Sequence, residues 1–78
     1  MMADAEPGWE LYRSFLATLR AGSLSGAARA LKLTQPTIGR HVAELEAALG
    51  VALFTRSQQG LLPTEAAVEL GPYAEAMA

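Results

Sequence analysis

Between Gly22 and Gly50 the residue order leaves room for two helices joined by a turn of only a few residues, and this segment constrains everything around it. A short helix over Gly26 to Leu31, N-capped by the hydroxyl of Ser25, would turn Ala27, Ala28 and Leu31 inward. The two alanines let this helix lie close against its neighbours, because interiors pack at crystal-like density and larger side chains would hold the backbones apart. Lys32 and Leu33 form the turn. Thr34 then caps a second helix with Pro36 in its first turn, where a missing N–H costs little, and Gly50 ends it at the position that favours a left-handed residue. Ile38, Val42, Leu45 and Leu49 form the expected buried stripe of this helix.

The flanks supply two more helices and a hairpin. A helix beginning near Gly8 or Trp9 and ended by Gly22 places Tyr12, Phe15, Leu16 and Leu19 on one face, a core stripe rather than a cofactor site. Leu53 to Arg56 and Leu61 to Thr64 read as short strands around the turn Ser57, Gln58, Gln59, Gly60, with Pro63 confining the second strand to an edge or an end. Thr64 caps a last helix, with Glu65 placed to favour its dipole. Ala66, Leu70, Tyr73 and Met77 make a seam along that helix suited to another helix, and Gly71 and Pro72 interrupt it, so that it continues only with a kink and a lost hydrogen bond. The 16 alanines and 12 leucines, against four β-branched aliphatics (Ile38, Val42, Val51, Val68), also favour a mainly α chain.

A chain of 78 residues fits one small domain. Without cysteine and with His41 as its one histidine, it offers neither disulfides nor a thiolate or imidazole metal cluster, and no cofactor or metal is implied. The N-terminus MMADAEPGWE lacks the charged start and apolar run of a signal peptide. The apolar stretch from Ala47 to Phe54 is far below the roughly 18 residues that span a bilayer, so a soluble, cytoplasmic protein with no membrane partner is expected. Glu44 and Glu46 are two apart on a helix and do not face one another, which argues against paired-carboxylate catalysis; the chain reads as no enzyme.

The net charge of −2 conceals a division. From Leu11 to Ala43 there are five basic residues (Arg13, Arg20, Arg29, Lys32, Arg40) and no acidic one, while all eight acids lie outside. On the helix that begins at Thr34, a rotation of about 100° per residue puts Pro36, Gly39, Arg40 and Ala43 opposite the buried stripe. That exposed face is small residues plus one arginine, where a merely solvated face would be rich in Glu and Lys. Two helices, a tight turn and a following hairpin are the parts of a winged helix-turn-helix, and a helix of about 10 Å diameter fits a major groove roughly 12 Å wide. Gln35 can pair bidentately with adenine and Arg40 with guanine, while Pro36, Thr37 and Gly39 keep the surface low enough to enter.

The run GSLSGAARALKLTQPTIGRHVAELEAALGVALFTR resembles the DNA-binding portion of LysR-type transcriptional regulators, whose pattern has the form G-S-F-x-x-A-A-x-x-L-x-x-x-Q-P-x-x-S-x-x-I-x-x-L-E-x-x-L-G-x-x-L-F-x-R. Gly22, Ser23, Ala27, Ala28, Leu31, Gln35, Pro36, Leu45, Glu46, Leu49, Gly50, Leu53, Phe54 and Arg56 match in register. The resemblance implies a three-helix core with a short β-hairpin wing over residues 9–64, preceded by an arm over 1–8 and followed by a linker helix over 65–78 that pairs two subunits through Ala66, Leu70, Tyr73 and Met77. It implies that Thr34 to His41 begin the recognition helix, with Gln35, Pro36, position 39 and Arg40 at bases or adjoining phosphates, and that Arg56 opens the wing. Three positions depart from the family: Gly39 stands where serine is common, Gln59 where a second wing arginine is frequent, and Ala67 where glycine usually follows T-x-A.

The expected contacts to double-stranded DNA therefore comprise Gln35, Pro36, Thr37, Gly39 and Arg40 on the recognition helix, with Thr34 at its cap and Ser25 on the preceding helix. Arg56, Ser57 and Gln59 represent the wing. Arg29, Lys32 and Arg56 read equally as phosphate contacts or as ordinary solubilising charge, Arg13 and Arg20 as solvation of the first helix, and His41 as a packing or hydrogen-bonding residue in preference to a base reader. A homodimer on a pseudo-palindromic operator follows from the resemblance. The alternative is a winged-helix protein-interaction module with little DNA affinity, which Gln59 and the net charge of −2 would suit. Family members usually continue into a domain that binds a small-molecule effector; a chain of 78 residues is expected to lack it.

Overall fold

The computed structural model describes residues 8–77, in the order α1 (Trp9–Ala21), α2 (Leu24–Leu31), α3 (Gln35–Leu49), β1 (Phe54–Ser57), β2 (Gly60–Pro63) and α4 (Glu65–Ala76). The expected N-terminal arm, apart from Gly8, lies outside the described residues.

Helix boundaries follow the capping chemistry. Gly8 precedes α1 in extended backbone, and Gly22 ends it at φ 77°, donating its N–H to the Thr18 carbonyl. The cap of α2 is Ser23 and not Ser25: Ser23 is extended and its Oγ accepts from the Gly26 N–H at 3.0 Å, whereas Ser25 is already inside the helix. Lys32 closes α2 in the left-handed region at φ 60°, a conformation that makes the turn tight enough for Thr34 to begin the next helix two residues later. Thr34 accepts from the Thr37 N–H, and Gly50 ends α3 at φ 72°.

The core has two parts. Phe15, Leu16, Leu45, Leu53, Ala67 and Ala74 bury one, joining α1, α3, the wing and α4. Ala27, Ala28, Ile38 and Val42 bury the other, between α2 and α3. Phe54 packs against both, its ring centroid 5.9 Å from that of Phe15. Leu49 departs from the expected stripe and is exposed, because α3 has by then run past the helices that cover Ile38, Val42 and Leu45. Ser14 and Thr18 are buried polar residues of α1; Thr18 Oγ1 donates to the Ser14 carbonyl at 2.8 Å, and Ser14 Oγ lies 2.7 Å from His41 Nδ1.

The hairpin is antiparallel, with Phe54 opposite Pro63 and Ser57 opposite Gly60, so each strand begins or ends one residue from its expected bound. Leu53 is held outside the ladder: its side chain is fully buried and its N–H is taken by Glu46. Thr64 donates its N–H to the Leu53 carbonyl and its hydroxyl to the Ala52 carbonyl, and the same hydroxyl accepts from the Ala67 N–H to cap α4. Helix α4 runs unbroken through Pro72. Pro72 lies on the exposed side while Ala67, Gly71 and Ala74 are buried, so the ring points away from the packed face. Gly71 lies so close to α1 that a Cβ there would come within 3.2 Å of Leu19 Cδ2.

Candidate nucleic-acid interface

Helix α3 is held at its N-terminus by Thr34 and along its length by Ile38, Val42 and Leu45, which fixes the opposite face outward. Gln35, Pro36, Arg40 and Ala43 are exposed there, and Gly39 and Thr37 are half-buried. Thr34 Oγ1 is committed to capping and lies 2.8 Å from Thr37 Oγ1, so these two hydroxyls are first of all structural.

Two clefts converge beside this face. One lies between the start of α2, the start of α3 and the wing, and is lined by Ser23, Leu24, Ser25, Gln35, Arg56 and Ser57 together with Gly60 and Leu61. The other runs along α3 between Gly39, Ala43 and Glu46 on one side and Phe54, Arg56 and Leu61 on the other. Ser25, Gln35, Arg56 and Ser57 are thus brought together from α2, α3 and the wing. Ser57 also shapes the wing tip, where its Oγ donates to the Gly60 carbonyl and accepts from the Gln59 N–H, both at 3.1 Å. Gln59 sits in that tip, exposed. Arg29, inside α2, and Lys32, at its C-cap, are exposed and line neither cleft.

Two residues that the sequence pattern did not single out belong to this surface. Leu24, the first residue of α2, borders both clefts, and Leu61 forms the inner side of the wing opposite Arg56. The signal for Leu24 was available in principle, since an apolar residue directly after a helix cap has little reason to be there unless something covers it.

Among the described residues, charge is left uncompensated on this side. Among the described residues the one salt bridge joins Arg20 to Glu75 at 3.2 Å, between the ends of α1 and α4. Arg29, Lys32, Arg40 and Arg56 have no carboxylate within that range among the described residues. The N-terminus of α3 adds the positive end of its dipole. Sharing no residue with these clefts, a largely apolar groove is lined by Ala66, Leu70 and Tyr73 of α4 with Leu49, Val51 and Leu53, and Glu69 is its charged member; Met77, just past α4, is exposed. Among the described residues no helix is long and apolar enough to cross a membrane.

Comparison with known proteins agrees with this geometry. The sequence model of the family described as "Bacterial regulatory helix-turn-helix protein, lysR family" matches residues 9–68. PtxE of Stutzerimonas stutzeri is 42% identical over 71 residues, which is 91% of this chain and 35% of that protein. The HTH-type transcriptional activator AmpR of Rhodobacter capsulatus is 44% identical over 63 residues, 81% of this chain and 22% of AmpR. The chain thus spans about a third or less of the length of these relatives. Among solved structures, OxyR of Corynebacterium glutamicum in its oxidized form superimposes with a TM-score of 0.89 at 28% identity, covering 96% of this chain and 24% of OxyR. The CbnR_DBD–DNA complex gives 0.85 at 34% identity, covering 90% of this chain and 80% of that one.

Proposed function

The chain belongs to the lysR family of bacterial regulatory helix-turn-helix proteins, and from that premise we propose that it binds double-stranded DNA sequence-specifically as the DNA-reading part of a transcriptional regulator acting in the cytoplasm. The observation that carries this reading is the outward face of α3. Gln35, Pro36, Gly39 and Arg40 present a low, uncrowded surface whose one guanidinium has no carboxylate partner among the described residues, and Arg56 of the wing shares a cleft with Gln35.

Each part has a distinct physical role. α3 enters the major groove N-terminus first, with Gln35 directed at adenine and Arg40 at guanine. The dipole of α3 and the exposed Arg29, Lys32 and Arg56 act on phosphates, giving affinity without sequence information. Thr34 and Thr37 fix the entry angle of the helix. Two copies pair through the apolar side of α4, so that two recognition helices meet the half-sites of a pseudo-palindrome. A small-molecule effector enters only through a further domain of the kind the longer relatives have room for.

Salt dependence tests the reading. Each neutralised phosphate contributes about −0.9 to the slope of log affinity against log salt, so a chain using several of these basic side chains should lose affinity by orders of magnitude as salt rises from low to physiological values. A flat titration, or failure to retain any duplex at low salt, would overturn it in favour of a protein-interaction module.

A further inference from the structure

Gly71 and Pro72 stand side by side in the interior of α4. They are the two residues least favourable inside a helix, and Pro72 leaves the Val68 carbonyl without its usual donor. Yet α4 is continuous from Glu65 to Ala76, so its course is imposed by what it rests on. At its start, Thr64 donates its N–H to the Leu53 carbonyl at 3.0 Å and its hydroxyl to the Ala52 carbonyl at 2.7 Å. In its middle, the buried residues Ala67, Gly71 and Ala74 carry nothing larger than a methyl group, and a Cβ at position 71 would stand 3.2 Å from Leu19 Cδ2 of α1. At its end, Glu75 meets Arg20 at 3.2 Å. Position 67 is larger than the glycine usual in the family, whereas Gly71, one turn on, brings the backbone of α4 back against α1.

We propose that the seat of Gly71 on Leu19 sets the angle between α4 and the recognition helix, and with it the spacing between half-sites that two paired copies accept. The inference rests on the reading of α4 as the pairing helix. Helix α1 is itself locked to α3, through the core that Phe15 and Leu16 share with Leu45 and through the Ser14–His41 contact, so a tilt of α4 against α1 is a tilt against α3. The magnitude is sufficient. Gly71 lies about 10 Å along the helix axis from Thr64, so lifting it by about 1 Å turns α4 by about 6°. Across a body with a radius of gyration of 11.8 Å this moves the far side by roughly 2.5 Å, and a two-fold axis doubles it to roughly 5 Å, more than the rise of about 3.4 Å per base pair. Gly71 and Leu19 are therefore positioning residues, acting on which operator is read without touching it.

The test uses the 78-residue chain, a half-site it selects from a random DNA pool, and duplexes carrying two inverted copies of that half-site with spacers that grow one base pair at a time. Sedimentation of the same proteins reports pairing. The parent should pair and bind one spacing best. Gly71→Leu should still pair and bind a single half-site as the parent does, with its preferred spacing moved by about one to two base pairs. Adding Leu19→Ala makes room for the new side chain and should move the preference back. Gly71→Ala asks Leu19 to give by only a few tenths of an ångström and is the better helix former, so it should fold and pair, with a weaker preference for the parent's spacing over its neighbours. A parent that retains no duplex, or that stays monomeric, would overturn the DNA-binding or the pairing reading, and this proposal with it. A paired parent that binds all spacings alike would overturn this proposal alone. So would a parent's spacing preference that Gly71→Leu leaves unshifted; if Gly71→Leu does not pair, an undiminished preference in Gly71→Ala overturns it in the same way.

Discussion

Glu46 Oε2 accepts the Leu53 backbone N–H at 2.8 Å, and through this bond the recognition helix holds the start of the wing. The same oxygen lies 3.4 Å from the Phe54 N–H, so one carboxylate serves two neighbouring backbone donors. Without it, Phe54 and the strand carrying Arg56 would be tied to α3 by apolar packing only. Glu46→Ala should therefore cost about 1–3 kcal/mol, the usual penalty for leaving part-buried backbone donors unsatisfied, and Glu46→Gln less because its amide oxygen can still accept. Urea titration reads both; equal midpoints for parent and alanine variant would show that water replaces the carboxylate without cost.

The contact of Ser14 Oγ with His41 Nδ1 joins α1 to the recognition helix at a point where the serine is almost wholly buried. Removing the hydroxyl leaves one ring nitrogen of a half-buried imidazole without its partner. Ser14→Ala should lower stability by roughly 1 kcal/mol, and the double variant with His41→Ala should lose less than the sum of the two single changes. Strict additivity in that cycle would mean that the two groups do not interact in solution.

Gly26 tests the close approach of α2 to the end of α1. A Cβ there would meet Ala21 Cβ at 2.8 Å and Ser23 Oγ at 3.0 Å, and the latter atom is the helix cap. Alanine is worth up to about 1 kcal/mol more than glycine inside a helix, but the overlap forces α2 away from α1 or displaces the cap. Gly26→Ala should be net destabilising by about 1 kcal/mol or more. A raised thermal midpoint would show that the turn at Gly22 absorbs the shift.

Much of this was legible because it depends on local chemistry. Thr34, Thr64, Gly22 and Gly50 cap their helices as expected, since a side-chain acceptor or a left-handed glycine acts within three or four residues. Ser25 was expected to cap α2, but the helix starts earlier, at Leu24, and Ser23 takes the cap; either hydroxyl has the chemistry, and local chemistry alone does not say where the helix begins. Leu49 looked buried by periodicity, yet periodicity reports a face and not whether another element reaches it. Pro72 carried a breaking signal that tertiary packing overrides, because its ring faces out while Gly71 and Ala74 are pressed inward.

Arg40 is exposed on the outward face of α3 and has no carboxylate partner among the described residues, so none of them competes for its guanidinium. Arg40→Ala should cost about 1–3 kcal/mol of DNA affinity and relax discrimination at one base position, as loss of a bidentate guanine contact does. Arg29→Ala should instead weaken all sequences alike and reduce the salt slope by about one. Selection from a random pool distinguishes the two effects; an unchanged preferred site in the Arg40 variant would remove that residue from base reading.

The last helix divides its apolar residues between two roles. Ala67, Gly71 and Ala74 are consumed by packing within the chain, whereas Tyr73 is 73% and Met77 51% exposed, on the same side as Ala66 and Leu70. Leu49 and Val51 extend that side, since the groove they form with Leu70 and Tyr73 is open to solvent. Association of two such surfaces would remove their apolar area from water at roughly 25 cal/mol per Å²; Glu69 already brings one exposed carboxylate to the groove, and a second charge beside it would have to be desolvated or keep the copies apart. Tyr73→Glu should thus abolish dimerisation with little loss of monomer stability, because the side chain it replaces is already in water; Leu70→Glu should abolish it too, at a larger folding cost. Sedimentation equilibrium measures the first effect and thermal unfolding the second. In DNA binding, Tyr73→Glu should keep the affinity for a single half-site and lose the gain from pairing two, which separates a dimerisation defect from damage to the reading head. A Tyr73→Glu variant that still sediments as a dimer would place the pairing surface elsewhere.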